Sequence, residues 1–343
     1  MRRLPVYLLL DCSESMIGDG IKAVQQSVET MLQTLRTDPH ALETIWISCI
    51  TFDREARLLF PLTELTEVQA PKLQVRPGTA LGAALNLCAD RIQTEVRKTS
   101  VMQKGDWRPL IILLTDGQAT DDWTSALKRL GQKVKPSPAN IYAIGCGEDV
   151  DVAELRELTD IVLHLPEMTP DRIKKLFVWL TASVTETSHG VNDVTPEKGI
   201  NLSKLPECVQ KVDHTAVARQ GPPRQVFIFA RCTKSRQPYL MRYRYEEELG
   251  VYLPKDSHPM DSETLSNRET FALPEIPSEL LDGPSHCPYC YALGAGSCGN
   301  CGTVFCSDPG GTESIVCPGC QNTLQRRSPN EPQRSFRIRQ SLS

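Results

Sequence analysis

Oxygen-bearing side chains directly follow the first apolar segment of the chain. Residues 6–10 are all apolar, and residues 11–15 after them read DCSES. Two further segments, Gly78-Thr79 and Thr115-Asp116-Gly117, lie next to other predicted elements. Carboxylate and hydroxyl oxygens are hard ligands, which suit the octahedral preference of Mg²⁺. These residues predict a magnesium site whose open coordination position can accept a carboxylate from a partner.

The elements that must position these residues alternate between strand and helix. Continuous apolar runs predict buried strands, and apolar residues at three- and four-residue steps predict helices. The predicted strands are 6–10, 45–52, 58–62, 110–114, 141–145 and 161–165, and the clearest helical patterns are 21–35, 81–96, 123–134 and 173–184. Six strands and about six helices indicate an α/β fold with a doubly wound, mostly parallel sheet. Ligands of such sheets bind at the carboxyl ends of the strands, where the oxygen-bearing residues fall.

The order of these residues resembles the metal-ion-dependent adhesion site of von Willebrand factor A domains. Asp11-x-Ser13-x-Ser15, then Thr79, then Asp116 match that site over residues 1–188. The resemblance implies that these five residues are the ligands of Mg²⁺, or of Mn²⁺ or Ca²⁺. The position after Ser13 is commonly glycine in such domains, and here it is Glu14. Its carboxylate is open to three interpretations: it tightens the site, occupies the partner's coordination position, or points to solvent.

These loop residues and the acids near them could also have other roles. Serines at 13 and 15 could cap the following helix, and Asp116-Gly117 could be an ordinary turn, but their joint occurrence favours the metal site. Asp53 and Asp149 are assigned to turns, and Asp121-Asp122 to a helix N-terminus. An aspartyl-phosphate hydrolase would use Asp11 as nucleophile, but the acid expected two residues later is Ser13. The chain also lacks a phosphate-binding loop and a nucleophile elbow, so we predict binding and not catalysis.

The second cluster of chemistry is rich in cysteine. Seven of the thirteen cysteines fall close together near the end of the chain: Cys287, Cys290, Cys298, Cys301, Cys306, Cys317 and Cys320. Six of them form Cys-x-x-Cys pairs, a spacing that places two thiolates on one zinc ion. Each Cys-x-x-Cys pair forms a turn known as a zinc knuckle. The preferred zinc site joins the first knuckle, Cys287 and Cys290, to the last, Cys317 and Cys320, because the loop between them has an ordinary length. With His286 the cluster offers eight ligands, so one or two Zn²⁺ ions are expected.

The remaining six cysteines are scattered along the chain. They are Cys12, Cys49, Cys88, Cys146, Cys208 and Cys232, and we interpret them as core or turn residues.

The chain after residue 188 is divided by composition. Residues 189–284 are predicted to be a proline-rich connector that contains a β-hairpin, with strands 225–231 and 239–245 around residues 233–237. Within it, residues 258–283 are interpreted as a linker or strap. Residues 285–325 are the predicted zinc-binding domain, and 326–343 a basic, disordered tail with five arginines and one glutamate.

Composition and charge exclude several classes of protein. A net charge of −4 and 40% apolar residues argue against a uniformly basic nucleic-acid binder and against a disordered chain. No apolar run is long enough for a membrane span, and the start of the chain lacks a signal-peptide cleavage site. We therefore expect a cytoplasmic protein with reduced thiols and no membrane partner, for which nucleic acid is an unlikely ligand.

A more specific resemblance covers the whole order of the chain. Residues 1–11, 105–117 and 120–123, followed by a cysteine-rich domain, are similar to TerY-type proteins of bacterial tellurium-resistance gene clusters. The resemblance implies a stress-response component that associates with a Ser/Thr protein kinase and a PP2C-type phosphatase. The function expected is a non-catalytic, metal-dependent interaction or scaffold protein. The alternatives are a magnesium-dependent phosphohydrolase or phosphotransferase that uses Asp11, and a zinc-ribbon nucleic-acid binder.

Overall fold

The computed structural model describes most of the chain, which divides into two units. The described residues are 2–100, 104–133, 139–148, 150–189, 202–212, 222–260, 275–308, 314–325 and 337–338. The first unit is Met1–Arg219 and the second is Gln220–Ser343. Among the described helices, none combines the length and the apolar composition that crossing a membrane would require.

A seven-stranded sheet forms the centre of the first unit. Its strands are β1 (Leu4–Asp11), β2 (Ile45–Phe52), β3 (Ala56–Glu64), β4 (Leu110–Thr115), β5 (Asn140–Cys146), β6 (Val162–Leu165) and β7 (Gln210–Lys211), in the order β3-β2-β1-β4-β5-β6-β7. The five strands from β2 to β6 in that order are parallel, whereas β3 and β7 pair antiparallel at the two edges. The predicted mostly parallel sheet is confirmed, and β7 adds an edge strand from beyond residue 188.

Helices cover both faces of this sheet. They are α1 (Asp19–Leu35), α2 (Pro39–Thr44), α3 (Leu81–Glu95), α4 (Trp123–Lys133), α5 (Val152–Leu158) and α6 (Pro170–His189). One apolar core joins α1 and α6 to the sheet, and the other joins α3 and α4 to its opposite face. Alternate residues of β1 supply both cores, Leu8 to the first and Leu9 to the second, because successive side chains of a strand point to opposite faces. The continuous apolar run of β1 follows from this burial on both sides.

The central position of β1 places the oxygen-bearing loop between its neighbours. The register pairs Asp11 with Phe52 of β2 and Leu10 with Leu114 of β4. Because the three strands are parallel, the segments that follow them emerge at the same edge of the sheet. The loop that begins at Asp11 therefore lies beside the turn after Thr115.

The second unit contains a five-stranded sheet that joins the predicted hairpin to the cysteine-rich segment. Its strands are β8 (Gln225–Arg231), β9 (Pro238–Glu246), β10 (Val251–Pro259), β12 (Gly294–Ser297) and β13 (Val304–Ser307), in the order β10-β9-β8-β13-β12. Strands β8 and β9 form the antiparallel hairpin predicted from the sequence. Two other pairs of short strands form separate sheets: β11 (Ile276–Pro277) with β16 (Arg337–Ile338), and β14 (Ser314–Val316) with β15 (Thr323–Gln325).

Two boundaries predicted from composition differ from those in the structure. The division at 284/285 separated the hairpin from the cysteine cluster, but β13 pairs with β8, so both belong to one unit. Proline-rich composition suggested a linker, whereas His258 and Pro259 end β10 and Ile276–Pro277 forms β11. In the tail predicted to be disordered, Arg337–Ile338 pairs with β11 and Ile338 is buried. The rest of 326–343 lies outside the described residues.

A buried ion pair anchors the start of β1. Arg3 Nε donates to Asp106 Oδ1 at 2.9 Å, and Arg3 Nη2 donates to the carbonyl of Glu95 at 2.8 Å. Only 9% of the Arg3 side chain and 2% of the Asp106 side chain are exposed. The guanidinium also stacks on Trp46, with its central carbon 4.5 Å from the ring centroid. Removing one charge would leave the other buried without its partner, a costly state in a protein interior.

We predict that Asp106→Ala lowers the free energy of unfolding by about 3 kcal/mol, because Arg3 would remain buried and unpaired. Urea denaturation of the full chain, followed by circular dichroism, measures the change. Asp19→Ala is the control, since Asp19 is 84% exposed and lies 4.0 Å from Lys22. Equal stability of the two variants would contradict the prediction.

Candidate metal sites

Asp11 is the most buried residue of the oxygen-rich loop. It ends β1 with no exposed surface. Its Oδ1 accepts a hydrogen bond from the Ser13 amide at 2.8 Å, and its Oδ2 accepts one from Thr115 Oγ1 at 2.5 Å. Burial raises the pKa of Asp11 to about 6, and the hydrogen bonds from Ser13 and Thr115 oppose that rise. The carboxylate is therefore held in place by both neighbouring loops at some electrostatic cost.

The two serines connect Asp11's loop to Asp116. Ser13 Oγ and Ser15 Oγ lie 2.9 Å apart, and Ser15 Oγ donates to Asp116 Oδ1 at 2.5 Å. Ser13 is buried, whereas Ser15 and Asp116 are partly exposed. The predicted ligands from β1 and β4 are thus brought into one hydrogen-bonded group whose outer members reach the surface.

Thr79 lies beside this group at the start of α3. Its carbonyl accepts from the Thr120 amide at 2.9 Å, and its own amide donates to Thr120 Oγ1 at 3.2 Å. A side chain at Gly117 would place its Cβ 3.2 Å from Thr79 Oγ1 and 3.7 Å from Ser15 Oγ. The two hydroxyls therefore border the same space, which is kept open because residue 117 is glycine. Within the described part of the chain, the Thr79 hydroxyl makes no hydrogen bond.

The donor set fits a hard divalent cation. Two carboxylates and three hydroxyls, from Asp11, Asp116, Ser13, Ser15 and Thr79, converge on one edge of the sheet, and all are oxygen ligands of the kind that Mg²⁺ prefers. A cation beside Asp11 would also favour the ionised form that burial disfavours. These five residues are the ones that would hold the ion.

Glu14 does not point to solvent. Its side chain is buried, 5% exposed, and its Oε2 accepts a hydrogen bond from the Gly78 amide at 2.6 Å. Burial raises its pKa to about 7, against the effect of hydrogen bonds to its carboxylate. Of the three interpretations of Glu14, the solvent-facing one is therefore wrong. The contact with Gly78 was not foreseen, because nothing in the sequence links positions 64 residues apart.

The other acids at this edge have structural partners. Asp53 is buried, accepts from the Glu55 amide at 3.1 Å and pairs with Arg57, which confirms its role in a turn. Asp122 accepts from the Ser125 amide and caps the start of α4, as predicted. Asp121 instead accepts from the amides of Gly82 and Ala83, both at 2.8 Å, at the start of α3. Asp149 lies outside the described residues.

The cysteines of the second unit form two groups of four. The sulfurs of Cys232, Cys287, Cys290 and Cys306 lie within 4.8 Å of one another, and so do those of Cys298, Cys301, Cys317 and Cys320. Sulfurs bound to one zinc ion at about 2.3 Å are roughly 3.8 Å apart. Three of the sulfur pairs are 3.5 Å, 3.6 Å and 3.7 Å apart. Both groups therefore fit tetrahedral zinc, and we name them site A (with Cys232) and site B (with Cys298).

These groups correct the preferred ligand pairing. The first and last knuckles, at Cys287 and Cys317, belong to different sites. Strand β13 carries Cys306 beside β8, and the turn after β8 carries Cys232, so both reach the first knuckle. Cys232 was interpreted as a scattered core thiol and is the eighth cysteine of the cluster. His286 belongs to neither group and stacks on Tyr291, with ring centroids 6.2 Å apart.

Four turns of the same geometry carry these cysteines. In each, the carbonyl of the first cysteine accepts from the amide four residues later, and its own amide donates to the carbonyl five residues later, at 2.8–3.0 Å. The residue after the turn has a positive φ in every case: 60° at Arg236, 60° at Tyr291, 76° at Gly302 and 63° at Gln321. In the turn of Cys232 the second cysteine position is Ser235. That turn therefore provides one cysteine where a knuckle provides two, and Cys306 is the fourth cysteine of the group.

Both sites contain thiols with a lowered pKa, Cys232 in site A and Cys301 and Cys320 in site B. Burial raises the pKa of Cys232, but hydrogen bonds from Ser235 and Lys234 outweigh it and bring the value to about 7. Burial likewise raises the pKa of Cys301, and hydrogen bonds involving Thr303 outweigh it and bring the value to about 6. Zinc binds the thiolate, so these contacts favour the form that the metal needs.

We predict that the full chain binds two zinc ions and that Cys232→Ser binds one, because a hydroxyl does not replace a thiolate in a Cys₄ site. Elemental analysis of the purified protein by mass spectrometry measures the stoichiometry. Cys208→Ser is the control, since Cys208 packs against the core of the first unit. Two ions in Cys232→Ser would contradict the assignment of site A.

Comparison with known proteins identifies part of the chain. Residues 6–165 match the family model of the von Willebrand factor type A domain. Similar solved structures include the ArnB paralogue VWA2 of Sulfolobus acidocaldarius, with 19% identity, a TM-score of 0.39, and coverage of 52% of this chain and 45% of that one. The pilus adhesin SpaC of Lactobacillus rhamnosus GG has 13% identity, a TM-score of 0.43, and coverage of 55% and 31%.

A third structure, proximal thread matrix protein 1 of the mussel byssus, has 14% identity, a TM-score of 0.38, and coverage of 54% and 48%. The chain spans less than half the length of each of these three proteins. The match to the family model and the doubly wound sheet agree in the same part of the chain. Residues 6–165 form a von Willebrand factor type A domain.

Proposed function

We propose that this protein is a non-catalytic, cation-dependent protein-interaction module. The observation that carries the proposal is the hydrogen-bonded group of Asp11, Ser13, Ser15 and Asp116, with Thr79 beside it. A Mg²⁺ ion held there offers a coordination position to a carboxylate of a partner. The protein's own residues bind the ion and leave its outer side open at Ser15 and Asp116, which are partly exposed.

The contacts of Asp11 support binding in preference to catalysis. A nucleophilic carboxylate needs an oxygen that can approach a substrate, whereas both oxygens of Asp11 accept hydrogen bonds and the residue is fully buried. The position two residues later, where a hydrolase of the aspartyl-phosphate type carries its acid, is Ser13, which is also buried. Phosphohydrolase or phosphotransferase activity at Asp11 is therefore the less favoured function.

The second unit is proposed to be a zinc-stabilised docking surface. Large apolar side chains that are mostly exposed lie next to the knuckles: Tyr291 is 72% and Leu293 70% exposed, and Val316 is 48% exposed. Apolar groups at the surface near rigid turns suit protein contacts. Residues 285–325 contain neither lysine nor arginine, so the cysteine-rich segment offers little positive charge to nucleic acid.

The biological setting is proposed from the TerY-type resemblance. We propose a role in a bacterial tellurium-resistance or stress-response system, with a Ser/Thr protein kinase and a PP2C-type phosphatase as docking partners. We also propose a reducing compartment such as the cytoplasm, because cysteine clusters that bind zinc there must stay reduced.

We predict that Asp116→Ala and Asp11→Ala each weaken Mg²⁺ binding at least tenfold, because each removes a carboxylate from the cation's ligand set. Isothermal titration calorimetry of the purified full chain with Mg²⁺ alone measures this loss. The same variants are expected to lose the partner proteins that wild type captures from a lysate in Mg²⁺ and releases in EDTA.

Asp19→Ala is the matched control, since it removes an exposed carboxylate near the same loop. Circular dichroism checks that the variants fold. Capture that survives both substitutions and EDTA would overturn the proposal. Turnover of a generic phosphoester that is lost in Asp11→Asn would establish the enzymatic alternative in its place.

A further inference from the structure

Glu14 connects two loops that carry different ligands of the cation site. It lies between Ser13 and Ser15 in a short 3₁₀ helix, Glu14–Met16, with only 5% of its surface exposed. Its Oε2 accepts from the Gly78 amide at 2.6 Å. Gly78 directly precedes Thr79, so the hydrogen bond joins the loop of the serines to the loop of the threonine.

The backbone at Gly78 is shaped for this contact. Gly78 has a φ of +94°, in the left-handed region that glycine tolerates. A Cβ at this position would lie 3.0 Å from the Arg54 Cα, and the Arg54 amide donates to the Pro77 carbonyl at 3.0 Å. The chain is thus pressed against the turn after β2 and presents the Gly78 amide to Glu14.

Thr79 depends on its backbone for its position. The Ala80 amide donates to the Asp53 carbonyl at 2.6 Å, and the Thr79 amide donates to Thr120 Oγ1. Its hydroxyl makes no hydrogen bond within the described residues, so no side-chain contact of that hydroxyl fixes it there. Anchors on both sides of residue 79 therefore set where the hydroxyl stands. Two of them come from the serine loop: the Cys12 carbonyl accepts from the Arg76 amide at 2.9 Å, and Glu14 accepts from Gly78, the residue next to Thr79.

We propose that Glu14 is a positioning residue that fixes Thr79 against Ser13 and Ser15, and is not itself a ligand of the cation. The proposal rests on the proposed cation site and deepens it. Because the Glu14 carboxylate is buried and accepts from the amide that directly precedes Thr79, it ties the threonine loop to the serine loop. The consequence is a site whose threonine is set before the cation or a partner arrives.

The first test measures the tie without any metal. Amide hydrogen exchange of Gly78 in the full chain is compared among wild type, Glu14→Ala and Glu14→Gln, with Glu29→Ala, an exposed position on α1, as the charge-matched control. Glu14→Ala is expected to raise the exchange rate of the Gly78 amide about tenfold over wild type, because the amide loses its acceptor. The average exchange rate of the strand amides in each protein is the internal reference. Glu14→Gln keeps an acceptor oxygen and is expected to stay within about threefold of wild type.

The second test separates positioning from ligation by calorimetric titration with Mg²⁺. Glu14→Ala is expected to weaken Mg²⁺ binding about tenfold, and Glu14→Gln less than threefold. In a protein that already carries Thr79→Val, adding Glu14→Ala is expected to change Mg²⁺ affinity little, because the residue that Glu14 positions is gone. Equal losses in the Ala and Gln variants would show a carboxylate ligand and overturn the proposal. Unchanged exchange at Gly78 in Glu14→Ala would overturn it as well.

Failure of the cation site itself has a different outcome. If wild type binds no Mg²⁺, the proposed function fails, while the exchange comparison still decides whether Glu14 holds the Thr79 loop. Should Glu14→Ala unfold the domain, Glu14→Gln and Thr79→Val remain, and a tenfold loss of Mg²⁺ affinity in Glu14→Gln with normal exchange at Gly78 would contradict the proposal.

Discussion

The fully buried carboxylate of Asp11 is the constraint on which the first unit depends. An ionisable group at the end of a central strand is stable only if protein groups satisfy both of its oxygens. The Ser13 amide meets one and the Thr115 hydroxyl the other, so the turns after β1 and β4 are fixed by the same side chain. Two further carboxylates fix neighbouring segments in the same way. Glu14 accepts from the Gly78 amide and holds the Thr79 loop, and Asp121 accepts from the amides of Gly82 and Ala83 at the start of α3.

The second unit has much less apolar core near its cysteines than the first unit has around Asp11. The apolar cluster around site B contains one buried aromatic residue, Phe305, and two buried cysteines, Cys298 and Cys317. So small a core contributes little burial, and a structural metal is the usual substitute in such cases. Site A instead lies beside a larger core that includes Val226, Tyr239 and Tyr243. A metal ion at site A would join the hairpin to the cysteine-rich segment, and a metal ion at site B would hold the short strands beyond it.

Much of the first unit could be predicted from the sequence, because its main elements carry distinct apolar patterns. Helix α1 repeats apolar residues at three- and four-residue steps, whereas β1 and β4 are short continuous apolar runs that suit strands buried on both faces. Helices α2 and α5 have six and seven residues and were not located, since so few residues define no period. Their start signals, Asp38 and Asp151, each accept amide hydrogen bonds from the first turn, but such caps are also common in simple turns.

The ligand pairing of the cysteines could not be predicted for a related reason. Loop length favoured joining the first and last knuckles, but the parallel pairing of β13 with β8 decides which thiols meet. That pairing joins residues more than seventy positions apart, and no local pattern encodes it. A local signal did exist for Cys232, which begins the turn of a predicted hairpin. Its turn lacks the second cysteine, so the spacing that identifies a knuckle is absent from the sequence.

The two kinds of metal site relate to folding in opposite ways. At the cation site, hydrogen bonds among Asp11, Ser13, Ser15 and Asp116 already hold the ligands together, and two apolar cores fold the domain around them. Binding a cation there would change what the surface can bind and leave the fold in place. At site B the candidate ligands are themselves much of the core, so metal binding and folding would be coupled. The proposed division, with one metal site for recognition and the others for structure, follows from how much apolar surface each region buries without an ion.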